Sequence, residues 1–69
     1  MYESLRREMQ KQNIKTYTLA KRSDIVPSDL YQALKGQRPM YPNWRRRIAE
    51  ALNAPVDELF PNDVESEAN

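Results

Sequence analysis

A chain without cysteine or histidine has few routes to chemistry. Thiol nucleophiles, disulfides, structural zinc and imidazole acid–base work are excluded together. The serines and threonines have no histidine to activate them, and the carboxylates cluster toward the end of the chain. Catalysis is therefore not expected, and no cofactor is implied. What remains is polar recognition by basic and amide side chains, and these are unevenly distributed. All eleven Lys and Arg residues lie in residues 1 to 47, where Glu3, Glu8, Asp24 and Asp29 are the only acids, a net charge of +7. Residues 48 to 69 contain Glu50, Asp57, Glu58, Asp63, Glu65 and Glu67 with no base, a net charge of −6. Such segregation points to a polyanion as partner of the basic part. The competing reading is a set of ordinary solvated helix faces with an acidic stretch that keeps the protein soluble.

The stretch "DIVPSDLYQALKGQRP", residues 24 to 39, shows how polar side chains would be displayed. Pro27 suits a first helical position, where a missing N–H costs nothing, and Gly36 suits the left-handed position that closes a helix. A helix over 27 to 35 follows. Leu30, Ala33 and Leu34 form one narrow apolar stripe, leaving Ser28, Asp29, Tyr31, Gln32 and Lys35 outside it. A helix of that length spans about 13 Å, comparable with the ~12 Å width of the DNA major groove.

The remaining elements must hold that helix. A first helix over 2 to 12 places Tyr2, Leu5 and Met9 on one face, with Asn13 in the left-handed position beyond it. Ile14 returns the chain to the core, and Thr16 is read as the N-cap of a second helix over 17 to 23 that buries Leu19 and Ala20. Asp24 tolerates positive φ at the following turn, and Ile25 is a core residue. After the proline-punctuated loop "GQRPMYP", a fourth helix from 42 or 43 to 53 carries Trp44, Ile48 and Leu52, with Ala49 and Ala51 beside them. "PVDEL" then makes one helical turn that brings Val56, Leu59 and Phe60 to the core. The 69 residues make one small all-α domain of five helices over 1 to 60, followed by an acidic tail at 61 to 69 too poor in large apolar residues to be ordered. The longest apolar run is too short for a membrane span and the N-terminus lacks the apolar segment of a secretory signal, so a cytoplasmic location is expected.

In order and spacing, these pieces resemble the phage-repressor and Cro-like helix-turn-helix family over residues 14 to 60. The resemblance rests on Leu19 and Ala20, Asp24 and Ile25, Leu30, Gly36, "QRP" at 37 to 39, "IAEALN" at 48 to 53, and "VDELF" at 56 to 60. It implies a compact lambda-repressor-like DNA-binding domain whose helix at 27 to 35 reads duplex DNA in the major groove. The implied function is sequence-specific transcriptional regulation, most simply repression of phage, prophage or toxin–antitoxin type; family logic implies a homodimer, by analogy touching around Pro55 to Phe60, with binding as a monomer or assembly only on DNA as the open alternatives. A protein–protein adaptor or antitoxin-like factor with the same fold is the alternative.

The resemblance also maps positions. Base contacts fall on Pro27, Ser28, Gln32 and Tyr31, with Lys35 adjacent. Gln32 stands out because an amide both donates to and accepts from adenine. Ser28 would contact a base edge or a phosphate, or serve only the first helical turn, and Asp29 would favour the helix N-terminus or accept from cytosine. Phosphate contacts fall on Thr16 and Tyr17, on Lys35, Gln37 and Arg38, and on Tyr41 and Asn43. Of Arg45, Arg46 and Arg47, which splay over about 200°, at most two would face DNA and at least one is expected to be solvated. Asp24 replaces the usual turn glycine, and Val26 replaces a capping Ser or Thr. Pro27 offers only apolar contact to a thymine methyl.

Overall fold

Four helices of this protein end in the same way, although the chain has a single glycine. The computed structural model describes residues 2 to 61. In it, α1 is Glu3–Lys11, α2 Thr16–Arg22, α3 Pro27–Leu34, α4 Pro42–Leu52 and α5 Val56–Leu59. Beyond the first four of these stand Asn13, Asp24, Gly36 and Asn53, with φ of 57°, 57°, 81° and 55°. Each left-handed residue donates to a carbonyl three residues back, and the next N–H donates to a carbonyl five back. The pairs are Asn13 to Gln10 and Ile14 to Met9, Asp24 to Lys21 and Ile25 to Ala20, Gly36 to Ala33 and Gln37 to Gln32, and Asn53 to Glu50 and Ala54 to Ala49. Two orphan carbonyls per helix end are thereby satisfied. Asn and Asp serve at three of the four positions because their short polar side chains tolerate this conformation better than other residues with a Cβ.

After three of these closures the next residue falls inward, whereas Gln37 after Gly36 stays exposed. Ile25 is buried, and Ile14 and Ala54 pack against the core. Leu5, Leu19, Leu30 and Ile48 are fully buried at its centre, together with Ala20 and Ala33, and Phe60 closes it at the C-terminal end. Here α2 packs on α3 and α4, and α5 packs on α1 and α4. Ala20 and Ala33 are small, which permits close approach of α2 and α3. Among the described residues the architecture is all-helical with five helices and no strand. No described helix is long and apolar enough to cross a membrane. The acidic tail, expected to be disordered, lies outside the described residues apart from Pro61.

Several expectations need correction. Thr16 is the first residue of α2 rather than its N-cap; that place is held by Lys15 in extended geometry, without a side-chain cap. Tyr2 precedes α1 in a left-handed conformation, φ 58°, and its ring meets the edge of Phe60 with centroids 6.1 Å apart. α2 and α3 each end one residue earlier than the sequence pattern indicates, because Ser23 and Lys35 serve as caps before the left-handed residue, and α4 also ends one residue earlier, at Leu52, because Asn53 is itself the left-handed cap. Trp44 is only partly buried and stacks edge-on with Tyr41, centroids 4.8 Å apart. Its expected place on the core stripe of α4 is taken by Arg45.

Two turn residues give stability tests. Asp24→Gly should stabilise by roughly 0.5 kcal/mol by relieving the left-handed conformation, while Asp24→Ala should destabilise by about 1 kcal/mol. The Ser23 hydroxyl is buried and makes no hydrogen bond among the described residues, so Ser23→Ala should raise stability by about 1 kcal/mol. Urea unfolding monitored by circular dichroism reads all three; a loss of stability in Ser23→Ala would mean the hydroxyl is satisfied.

Candidate functional site

The outer face of α3 is polar because its inner face alone secures it. Leu30, Ala33 and Leu34 are buried, whereas Ser28, Tyr31 and Lys35 are exposed and Asp29 and Gln32 half-buried. The N-cap of the helix is Val26, which is 59% exposed and supplies no side-chain cap; its carbonyl accepts from the N–H groups of Asp29 at 2.9 Å and Leu30 at 3.1 Å. At its other end the Arg6 guanidinium reaches from α1 to donate to the Leu34 carbonyl at 3.0 Å. A cation at a helix C-terminus satisfies an orphan carbonyl and matches the dipole. Gln12, through a neutral amide, likewise satisfies an orphan carbonyl of α4: its Nε2 donates to the Leu52 carbonyl at 2.8 Å and also to Glu8 Oε2 at 2.7 Å. Both ties are missed by reading α1 as an amphipathic helix, since donor and acceptor are far apart in sequence.

Over the outer face lies a side chain from the following loop. Arg38 folds back so that its Nε donates to Gln32 Oε1 at 3.3 Å and its Nη2 stands 3.6 Å from Asp29 Oδ1. Asp29 and Gln32 are three residues apart and therefore neighbours on the helix surface. The sequence treats these three residues separately; the structure joins them. The oxygen of the Gln32 amide is engaged by a cation, and the Asp29 carboxylate is paired.

The other sequence-derived positions surround this cluster or lie along the adjoining chain. Pro27 is half-buried at the first position of α3. Thr16 is half-buried and Tyr17 is 56% exposed at the start of α2. Gln37 is exposed in the loop after α3, and Tyr41 and Asn43 are exposed around the start of α4. Tyr31 on α3 is 46% exposed.

The arginine run resolves into three different roles. Arg45 is buried and donates through Nη1 to the Met40 carbonyl at 2.7 Å, so the loop leading into α4 is fastened from below. Met40 itself is a core residue unanticipated from its place between two prolines. Arg47 donates to the Asp24 carbonyl at 3.3 Å and so braces the turn between α2 and α3. Arg46 is exposed and lines a shallow open groove with Ala49, Ala54 and Val56. The residue withdrawn from the surface is thus turned inward rather than into water: an arginine stem packs well against apolar neighbours. In the segment expected to form a homodimer contact, Leu59 and Phe60 are buried within the chain, leaving Pro55, Asp57 and Glu58 exposed.

Comparison with protein-family models, curated proteins and solved structures finds no match.

The arginine assignments separate on substitution. Arg45→Ala should cost about 2–3 kcal/mol of stability, because the Met40 carbonyl is left buried without its charged donor and the packed arginine stem is lost. Arg46→Ala, at an exposed position, should stay within about 0.5 kcal/mol of the parent. Equal effects in urea unfolding would refute this division of roles.

Proposed function

We propose that this protein is a sequence-specific duplex-DNA-binding regulator of the lambda-repressor-like type, with α2 and α3 as a helix-turn-helix and α3 as the element that enters the major groove. The observation that carries the reading is the division of α3 itself: a fully packed apolar back and a polar front, free of any role in the core, on a helix of eight residues, Pro27–Leu34, that spans about 12 Å. Ser28, Tyr31 and Gln32 belong to that front and are the proposed base-facing residues, with Pro27 at its leading edge.

Basic and polar groups on either side suit phosphates. Lys35 and Gln37 follow the front at its C-terminal end, and Tyr41 and Asn43 stand at the start of the next helix. Thr16 and Tyr17 begin α2, whose Lys21 and Arg22 remain exposed. The acids Asp57 and Glu58 ride on α5, which packs on α1 and α4. Their placement keeps them off the elements proposed to meet DNA. Binding requires no cofactor on this reading, and repression by occupancy of a promoter is its simplest consequence. A single domain offers few base contacts, so a homodimer on two half-sites is proposed, formed through the exposed surface around Pro55 and the partly buried Val56. The protein is assigned to the cytoplasm as part of the same reading.

Selection from a random-sequence duplex pool at two salt concentrations tests the proposal. Enrichment of a short motif is expected, with affinity falling by about 0.9 log units per log unit of salt for each phosphate neutralised. Lys35→Ala should flatten that slope by about one such increment while leaving the selected motif unchanged. Absence of binding even at low salt would reject the DNA reading and favour the protein-adaptor alternative.

A further inference from the structure

The Arg38 guanidinium is held in a way that a simple phosphate clamp does not require. Its Nε and Nη2 groups, which form one edge of the planar fork, face Gln32 Oε1 at 3.3 Å and Asp29 Oδ1 at 3.6 Å. The Arg38 side chain keeps 38% of its surface exposed, and its Nη1 group makes no hydrogen bond among the described residues. The second edge of the fork, Nη1 with the remaining N–H of Nη2, therefore points away from α3. That edge presents two parallel donors.

We propose that Arg38 is a specificity-determining residue that reads guanine, and that Asp29 and Gln32 are the positioning residues that aim it; this rests on the DNA-binding reading above. Two parallel donors match the O6 and N7 acceptors that guanine presents in the major groove, the geometry of the commonest specific arginine contact. An arginine tethered only at its Cα would lose its side-chain freedom on binding. Here that freedom is already restricted at two points, which lowers the ordering cost. Asp29 also acquires a reason to be on a front that faces phosphates: its charge is spent on Arg38. Gln32, whose Oε1 already accepts from Arg38, is assigned to orient that side chain, while its Nε2 remains a donor toward an acceptor on a neighbouring base.

The test is selection from the random duplex pool with the parent, Arg38→Lys, Arg38→Ala and Asp29→Ala, followed by affinity measurements on the selected duplex and on duplexes with single base changes. The parent is expected to prefer guanine at one position of each half-site by roughly 5- to 150-fold, the range of a bidentate contact. Arg38→Lys keeps the charge but not the fork, so it should lose that preference while the salt dependence stays as in the parent. Asp29→Ala should weaken the same preference at the same position and raise affinity for unrelated duplexes, because a negative charge is removed. A role in holding the backbone would give a different pattern: Arg38→Lys would leave the motif intact and Arg38→Ala would reduce affinity equally for all sequences. That pattern overturns the inference while DNA binding itself stands. No enrichment by the parent protein would overturn both.

Discussion

The angle at which α3 leaves α2 is set by the turn of four residues from Ser23 to Val26, and the rest of the site depends on it. Ser23 is small and buried, Asp24 takes φ 57°, and the Ile25 N–H returns to the Ala20 carbonyl at 2.9 Å. With Asp24 in this conformation the chain reverses sharply enough for Ile25 to enter the core and for Leu30 to be fully buried five residues later. Arg47 donates to the Asp24 carbonyl from α4, so the turn is braced from a third helix. Fixing the back of α3 in this manner frees its front from any duty to stability. A front with Ser28, Tyr31, Gln32 and Lys35 would otherwise be a poor choice in a domain whose core has to be made from about 60 residues.

Much of this was legible in the sequence because few residue types perform the relevant tasks. Left-handed helix ends call for Gly, Asn or Asp, so Asn13, Asp24 and Gly36 could be placed, and the apolar spacing of Leu5 with Met9 and of Leu30 with Leu34 located the core faces. Other features depend on contacts that no local pattern encodes. Periodicity reads Arg45 as an outward residue, although its stem supplies packing and its fork reaches a loop carbonyl. Met40 sits in a loop with no period at all. The Thr16 assignment failed by one residue because Lys15 takes the extended geometry of an N-cap without offering a side-chain bond.

At the candidate site the limit of sequence reasoning is sharper. Gln32, Asp29 and Arg38 were each assigned a separate part, amide reader, helix-dipole partner and phosphate clamp. The loop closing at Gly36 brings the third back over the first two. A charge that would have opposed a polyanion and a charge that would have attracted one become a pair. A count of the basic residues therefore overstates the cation available on this face, and the value of Arg38 shifts from its charge toward its shape. Similarly, Arg6 and Arg47 contribute to holding helix ends and turns, so only part of the basic excess in residues 1 to 47 is proposed to meet DNA.

The most direct test of the central claim, that the front of α3 is what meets DNA, is a nitrogen–proton correlation titration of the uniformly labelled protein with a duplex carrying the selected motif, run also on the Arg45→Lys variant as a control for core perturbation. The account predicts that shifts concentrate on Ser28, Tyr31, Gln32 and Lys35, on the loop from Gly36 to Tyr41, and at the start of α2, with α5 unaffected apart from changes due to dimer formation around Pro55. Shifts concentrated instead along α4 and the groove beside Arg46 and Ala49, with the front of α3 unchanged, would contradict it.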